Sequence, residues 1–425
     1  MKEEVLWVLW KYLFFDTQSI FTTENEKISI QSTGHQHMNS GPDFTQASIW
    51  IGGILWKGDV EIHVKSSDWI AHGHDTDPAY ESVILHVVYE HDRTIRRADG
   101  TALPVLELKH CIPNHFWTRY QSLVRNNTVI PCTEFISDVP TVYIQQMKDR
   151  ALIERLQDKI KTFQVDFPNV PSSPDVALQL LAKSLGTPLN DELMIRLVHS
   201  ISIPWLNRYS KDSLKIKALL FGNAGWLEKI NPEDEESIRL QKEYIYLQEL
   251  YSLQPVIEKH EWKFLRTRPQ NFPTVKLSQL AAILSQTDWM ERLFHKDCLE
   301  PQRFLNQLIV SDNPIVKNSS ITNADKKIRF GKHSILLFMV NAWIPYWSVQ
   351  ADYSKDERLW NVLFSFLEKC SPENNKITRY WTEVGVPVES ASDSQAVIQW
   401  YKSYCSIKKC LSCTVGIQLL NKASG

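Results

Sequence analysis

Two strand-like runs meet at Gly52-Gly53, and this junction constrains the fold more than any other feature of the sequence. Phe44–Ile51 and Ile54–Lys65 alternate in polarity. A two-glycine link between alternating runs predicts an antiparallel hairpin, because glycine takes the positive φ angles of a tight turn at little cost. Pairing outward from the turn sets residue 51 opposite 54, 49 opposite 56, 47 opposite 58 and 45 opposite 60. One face then carries Ile51, Ile54, Ile49, Trp56, Ala47 and Val60 and continues into Ile62 and Val64. A slip of one residue would turn that face to solvent, so the register is specified. The opposite face carries Asp59, Glu61, His63 and Lys65, with Trp50 and Leu55 at the hairpin end.

Glu61 and His63 are metal-ligand types, and Asp43 is the carboxylate nearest to them across the hairpin. In the expected register Asp43 falls opposite residue 62, on the apolar side, and Gly41-Pro42 would have to redirect it. Adjacent strands lie about 4.8 Å apart. Asp43 and Glu61 could therefore share one Mg²⁺, a hard cation that takes carboxylate and water oxygens at about 2.1 Å. The plain alternative is a solvated strand face, a common feature of antiparallel sheets.

The surrounding sequence divides near residue 135. Before it, residues 2–15 suit a short helix, Lys27 to Gln31 a strand, Ser32 to Pro42 a loop, and Leu103–Leu108 a further strand. Ser82–Tyr89 is a strand apolar at nearly every position, which predicts burial on both faces within a sheet. Beyond residue 140 the apolar spacing becomes helical in Val142–Phe163, Pro174–Leu185, Glu192–Ile201, Asp234–Leu253, Ser334–Trp343, Asp356–Cys370 and Ser394–Tyr404. The expected class is α+β. Residues 1–135 form a mixed-sheet domain with flanking helices, and residues 136–425 form a helical region with a C-terminal cysteine cluster.

Nine of the 13 histidines precede residue 135. His72-Gly73-His74 is an H-x-H pair that could bind Zn²⁺ or Fe²⁺ or contact a substrate, or simply occupy an exposed loop. His86, among apolar neighbours, reads as a hydrogen-bonded core residue or one that orients the site from the next strand. Cys405, Cys410 and Cys413 have the C-x4-C-x2-C spacing of an iron–sulfur or zinc site. A fourth ligand would have to come from upstream, from Cys370, Cys132 or Cys111; otherwise the three are ordinary core cysteines. With seven cysteines, an odd number, and no export signal, a disulfide framework is not expected and the cytoplasm is the default location. No apolar run is long enough to span a bilayer, so no membrane association is expected.

The net charge of −2 excludes a globally basic nucleic-acid binder, so any such contact needs a local patch. Lys326, Lys327 and Arg329 form the densest basic run and, with Arg266 and Arg268, could meet phosphates; a solvated loop is the simpler reading. Fifteen tryptophans could include base-stacking ones, although most sit at helical spacing with leucine, as core residues do. The oligomeric state is not legible.

Pro42-Asp43 followed by Glu61-Ile62-His63 resembles the PD-(D/E)XK nuclease superfamily, with residues 2–89 covering its core. The resemblance implies a restriction-endonuclease-like fold of helix, three-strand meander, helix and strand. It also implies a Mg²⁺-dependent hydrolysis of phosphodiester bonds in DNA or RNA. His63 stands where the superfamily has lysine, and Lys65 is the nearest substitute. On this reading Asp43 and Glu61 hold Mg²⁺, His63 accepts a proton and Lys65 stabilises charge. Some members carry a C-terminal iron–sulfur staple, an analogy for the cysteine cluster. The whole chain also resembles an uncharacterised bacterial family of unknown function, through Gly41-Pro42-Asp43-Phe44, Gly58-Asp59-Val60-Glu61-Ile62-His63, Ser67-Asp68-Trp69 and Arg268-Pro269-Gln270-Asn271-Phe272-Pro273. Two other functions compete. One is a non-nuclease metal-dependent hydrolase or binding protein using His63, His72, His74 and His86. The other is a helical scaffold with a degenerate nuclease-like domain.

Overall fold

The computed structural model describes residues 1–37, 40–97, 100–166, 173–231, 233–264, 269–310 and 328–421. Two compact units divide the chain. The first comprises Met1–Ala151, Asn374–Val388 and Ala396–Gly425; the second comprises Leu152–Glu373 and Glu389–Gln395. The sequence thus returns to the first unit after residue 373, whereas periodicity alone divides it once, at 135.

The first unit begins with helix α1, Glu3–Tyr12, whose first turn carries Glu3 and Glu4 and whose last carries Lys11, charges that suit the helix dipole. Six strands then form one mixed sheet: β1 Ile28–Ser32, β2 His35–Gln36, β3 Phe44–Ile51, β4 Ile54–Lys65, β5 Val83–Glu90 and β6 Val105–Glu107. The order is β1-β3-β4-β5-β6, with β2 also paired to β3. The pairs β1–β3 and β3–β4 are antiparallel, and β4–β5 and β5–β6 are parallel. A parallel neighbour requires a crossover, which is supplied by the short helix α2, Asp68–Ala71, and the loop after it. The residues from Val83 to Val88 are buried throughout, as expected of a strand inside a sheet. Val5, Leu6, Leu9 and Trp10 of α1 share a core with Phe44, Ile49, Val60, Ile62, Leu85 and Val87 of the sheet. Helix α3, Asn114–Arg125, adds Phe116 and Leu123 to that core.

Two details depart from the expected hairpin. Its tip is exposed: Ile54 is 62% accessible, and Trp56, Trp50 and Leu55 are also exposed, so the apolar face is covered only from Ile51 and Ala47 inward. Residues 54–58 of β4 lie beyond the point where β5 begins to pair, at Asp59, and nothing forces this overhanging arm to bury its side chains. Strand β2 lies within the stretch expected to be loop; it is two residues long, too short for a periodic signal.

The second unit is helical. Its longest described helix lying wholly within the unit is α4, Pro174–His199, which runs continuously where the sequence predicts two helices. Buried Leu181, Ala182 and Leu185 on one side of Gly186, and Met194, Leu197 and Val198 on the other, override the local tendency to break. Helices Ser213–Asn223 and Glu235–Tyr251 pack closely where Gly222 meets the Tyr244 ring, and Tyr244 Oη donates to Asn223 Oδ1 at 2.8 Å. No helix among the described residues is long and apolar enough to cross a membrane.

Candidate metal centre

Asp43 reaches Glu61 through a bulge. Ala47 pairs with Gly58 as expected, but Phe44 pairs with Val60, so β3 holds one extra residue between these points. The irregularity falls at Gln46, whose φ is 60°. Asp59 secures it: Oδ1 accepts from Gln46 N at 3.0 Å, and Oδ2 accepts from Ser82 Oγ at 2.6 Å. An extra residue reverses the alternation beyond it. Phe44 therefore joins Val60 in the core, and Asp43 falls into step with Glu61 rather than opposite Ile62. The bulge, rather than a turn at Gly41-Pro42, redirects this carboxylate.

The two acids are linked through backbone. Glu61 Oε2 accepts from Asp43 N at 2.9 Å, while Asp43 Oδ2 accepts from Ile62 N at 3.1 Å and from Trp7 Nε1 at 2.9 Å. Burial raises Asp43 to about 6, with the Trp7 and Ile62 bonds opposing the shift and the Glu3 charge adding to it. Burial, followed by the Asp43 charge, raises Glu61 to about 8. Among the described residues no lysine or arginine pairs with either acid; the basic neighbours of Glu61 are the imidazoles of His63 and His74.

The histidines converge from three segments. His63 follows Glu61 by two on β4, and His86 is level with Glu61 on the parallel strand β5. The α2 helix ends in a tight turn: Gly73 N bonds to Ile70 O at 3.0 Å and His74 N to Trp69 O at 3.1 Å, with Gly73 at φ +76°. That left-handed residue ends the helix and folds the chain back. His72 and His74 thereby flank His63, with His63 Nε2 3.1 Å from His72 Nδ1. One ligand nitrogen from each of His63, His72 and His74 lies within 4.8 Å of the other two. Glu61 Oε1 is 3.3 Å from His74 Nε2 and 3.6 Å from His63 Nε2. Beneath them His63 Nδ1 meets His86 Nε2 at 2.9 Å. Burial, then the neighbouring imidazoles, pushes His63 far below the usual histidine value and His86 to about 3. Burial also lowers His74. These rings are neutral, the form that binds metal. Trp69 and Tyr80 wall the group; Tyr80 stacks on His74 with centroids 3.7 Å apart.

This arrangement suits a divalent ion. Two imidazole nitrogens 3.1 Å apart must share a proton or a cation, and neighbouring nitrogens on tetrahedral zinc stand about 3.4 Å apart at Zn–N near 2.1 Å. A cation would also relieve the repulsion between Asp43 and Glu61. If His63 Nε2 keeps its lone pair for a metal, its Nδ1–H donates to His86, and the remaining His86 proton sits on Nδ1, which has no hydrogen-bond partner. Residues outside the expected set take part as well: Trp7 and Glu3 from α1, and Trp69 and Tyr80 from the crossover. Their only sequence signal is Trp69 beside Asp68, within one of the matched stretches.

Other expected residues are placed elsewhere. Lys65 is at the exposed end of β4, its backbone N–H donating to Asp68 Oδ2 at 2.9 Å, and no ion pair of its ammonium occurs among the described residues. Asp59 secures the bulge. Arg329 lies in the short strand Ile328–Arg329, and Lys326, Lys327, Arg266 and Arg268 lie outside the described residues. Cys405, Cys410 and Cys413 are buried in the core of the first unit with Cys132; Cys370 belongs to the second unit.

The model of a protein family of unknown function, DUF2851, matches residues 3–376. The chain belongs to that family. No curated protein and no solved structure matches it. The match includes the hairpin, the bulge and every histidine of the centre, so this DUF2851 chain carries the whole constellation within its family region.

Proposed function

We propose that this protein is a metal-dependent hydrolase whose ion is held by His63, His72 and His74 with Glu61 beside them. The observation that carries this reading is the three-imidazole group, its ligand atoms mutually within 4.8 Å, against a buried carboxylate. Imidazole donors favour zinc, iron or a similar transition metal over magnesium. Such an ion would supply Lewis-acid polarisation and a water of lowered pKa. Asp43, at about 6, is ionised near neutrality and placed to accept a proton; Trp7 and Ile62 N hold its carboxylate in position. His86 orients His63, and Tyr80 fixes His74. His72, the exposed member, gives the group its open side.

A phosphodiester substrate is supported by element order. Helix α1, the antiparallel strands β1, β3 and β4, the crossover helix α2 and the parallel strand β5 follow the succession that the nuclease resemblance implies. Asp43 at the start of the second long strand and Glu61 on the third match its acidic positions. A second reading, Mg²⁺ shared by Asp43 and Glu61 alone, is favoured by their adjacency and raised pKa values. Metal analysis separates the two. On the first reading the purified protein holds about one zinc, iron or manganese per chain, lost in His63→Ala and His72→Ala. On the second it holds none and cleaves only with added Mg²⁺. Cleavage of bis(p-nitrophenyl) phosphate or nucleic acid that persists in Glu61→Ala would falsify both.

A further inference from the structure

Cys132, Cys405, Cys410 and Cys413 are free, buried and part of one apolar core in the first unit, and the histidine centre makes no use of them. Cys405 closes the π-helical turn Tyr401–Cys405, Cys410 opens the turn Cys410–Ser412, and Cys413 precedes helix Thr414–Asn421. The backbone is tightly folded there. Lys408 N bonds to Cys405 O at 3.2 Å, Lys409 N to Tyr404 O at 2.9 Å and Cys413 N to Cys410 O at 3.2 Å. Gly416 has no room for a side chain against the Cys410 carbonyl. Cys132 arrives from the segment after α3. The four are close enough to affect one another's ionisation: burial and then the other sulfurs raise Cys132 and Cys405, and burial and then Cys413 raise Cys410 to about 11. Burial raises Cys413 as well. Apolar packing does not require four of the seven cysteines to share one core.

We propose that Cys132, Cys405, Cys410 and Cys413 hold an iron–sulfur cluster. Four thiolates ligate both two-iron and four-iron clusters, and C-x4-C-x2-C with one distant cysteine is a spacing such clusters use. Zinc also takes four thiolates, but at Zn–S of about 2.3 Å its sulfurs stand about 3.8 Å apart. Among the described residues only the imidazole group brings three ligand atoms within 4.8 Å of one another. The sulfurs are therefore spread more widely than a single zinc ion requires, and a polynuclear core spans the wider gap. The cluster would join the C-terminal segment to the loop after α3, where Lys408 Nζ already donates to Val124 O at 2.7 Å.

The test is the full chain purified without oxygen, assayed for iron, acid-labile sulfide and visible absorption. Acid-labile sulfide is expected at about two or four per chain, matched by iron beyond any ion in the histidine centre, and sulfide falls about tenfold or more in Cys132→Ser and Cys410→Ser. Cys111→Ser and Cys370→Ser retain both. Sulfide separates this site from the histidine centre, because a mononuclear ion carries none; His63→Ala retains sulfide whether or not the proposed function holds. If the cysteine variants do not fold, alkylation of the native chain decides. The four thiols are protected as isolated and become reactive once iron is chelated. Stoichiometric zinc without sulfide, or a wild-type chain that takes up no iron and sulfide on anaerobic reconstitution, overturns the proposal.

Discussion

Glu61 is 5% exposed, accepts from a backbone N–H and has another acid and two neutral imidazoles as its neighbours. Its proton is held more tightly in the folded chain than in the unfolded one, and so is that of Asp43. Their contribution to stability is complete below their unfolded values, near 4, and is lost as pH rises through about 6 for Asp43 and about 8 for Glu61. His63 and His86 act in the opposite sense. Their folded values are depressed, so their contribution is present above the unfolded value near 6.5 and lost as pH falls below it. Above the histidine range the loss from Glu61 dominates. Metal-free protein should therefore melt at progressively lower temperature between about pH 6 and 8, and Zn²⁺ or Mn²⁺ should restore the melting temperature most at the alkaline end. Differential scanning fluorimetry in chelator checks this. A profile that does not change in Glu61→Gln would remove Glu61 as the source.

At the scale of the element, the centre depends on one extra residue in β3. Gln46 sits at φ 60°, a conformation costing about 1–2 kcal/mol for a residue with a side chain, and Asp59 offsets that cost by accepting its N–H. Asp59→Ala should destabilise the chain by about 1–3 kcal/mol and weaken metal retention, because an unpinned bulge lets Asp43 drift out of step with Glu61. Denaturant unfolding and metal content measure the two effects; unchanged metal with full loss of stability would show that Asp43 does not depend on the bulge. Gly58 gives a second handle. A Cβ there would lie 2.5 Å from Ile84 Cγ2 and 2.6 Å from the Ser82 carbonyl, so Gly58→Ala should force β4 and β5 apart at a cost of about 1–3 kcal/mol.

These elements also mark what the sequence discloses. The hairpin limits are legible because Gly52-Gly53 and the alternation beside it are local signals, and β3 and β4 have the bounds they predict. The bulge is not legible, since it arises from Asp59 bonding to a residue across the hairpin, and alternation counted through it sends Asp43 to the wrong side. His72-Gly73-His74 stands out as a motif. Its meeting with His63 depends on the crossover between β4 and β5 and on β5 lying parallel, neither of which leaves a periodic trace. Cys132 is distinguishable from Cys111 and Cys370 only in space.

At the scale of the whole molecule, the first unit is assembled from both halves of the sequence. Trp381 and Trp400, both fully buried with centroids 4.2 Å apart, lie in the same core as Leu6, Ile49 and Val60, and Trp381 Nε1 donates to Val397 O at 3.1 Å. Lys148 Nζ donates to Pro387 O at 2.6 Å, and Arg150 donates to Ser412 O at 3.0 Å. Residues 1–151 alone would lack this material and should be insoluble or molten, with exchange-labile sheet amides. Adding residues 374–425 in trans should recover protection in hydrogen exchange. Trp381→Ala should cost about 3–5 kcal/mol, as large buried aromatics do.

Because the chain visits the second unit before returning to the first, the order of synthesis and the order of assembly differ. The sheet and its histidines leave the ribosome early, yet their core lacks Trp381, Trp400 and Leu420 until the last segment emerges. At about 5–20 residues per second, the more than 200 intervening residues keep that surface waiting for tens of seconds. Nascent sheet is then a client for holding chaperones, and an interrupted translation product carries the ligands without a finished scaffold. Completion of the polypeptide thus acts as a checkpoint on the metal centre.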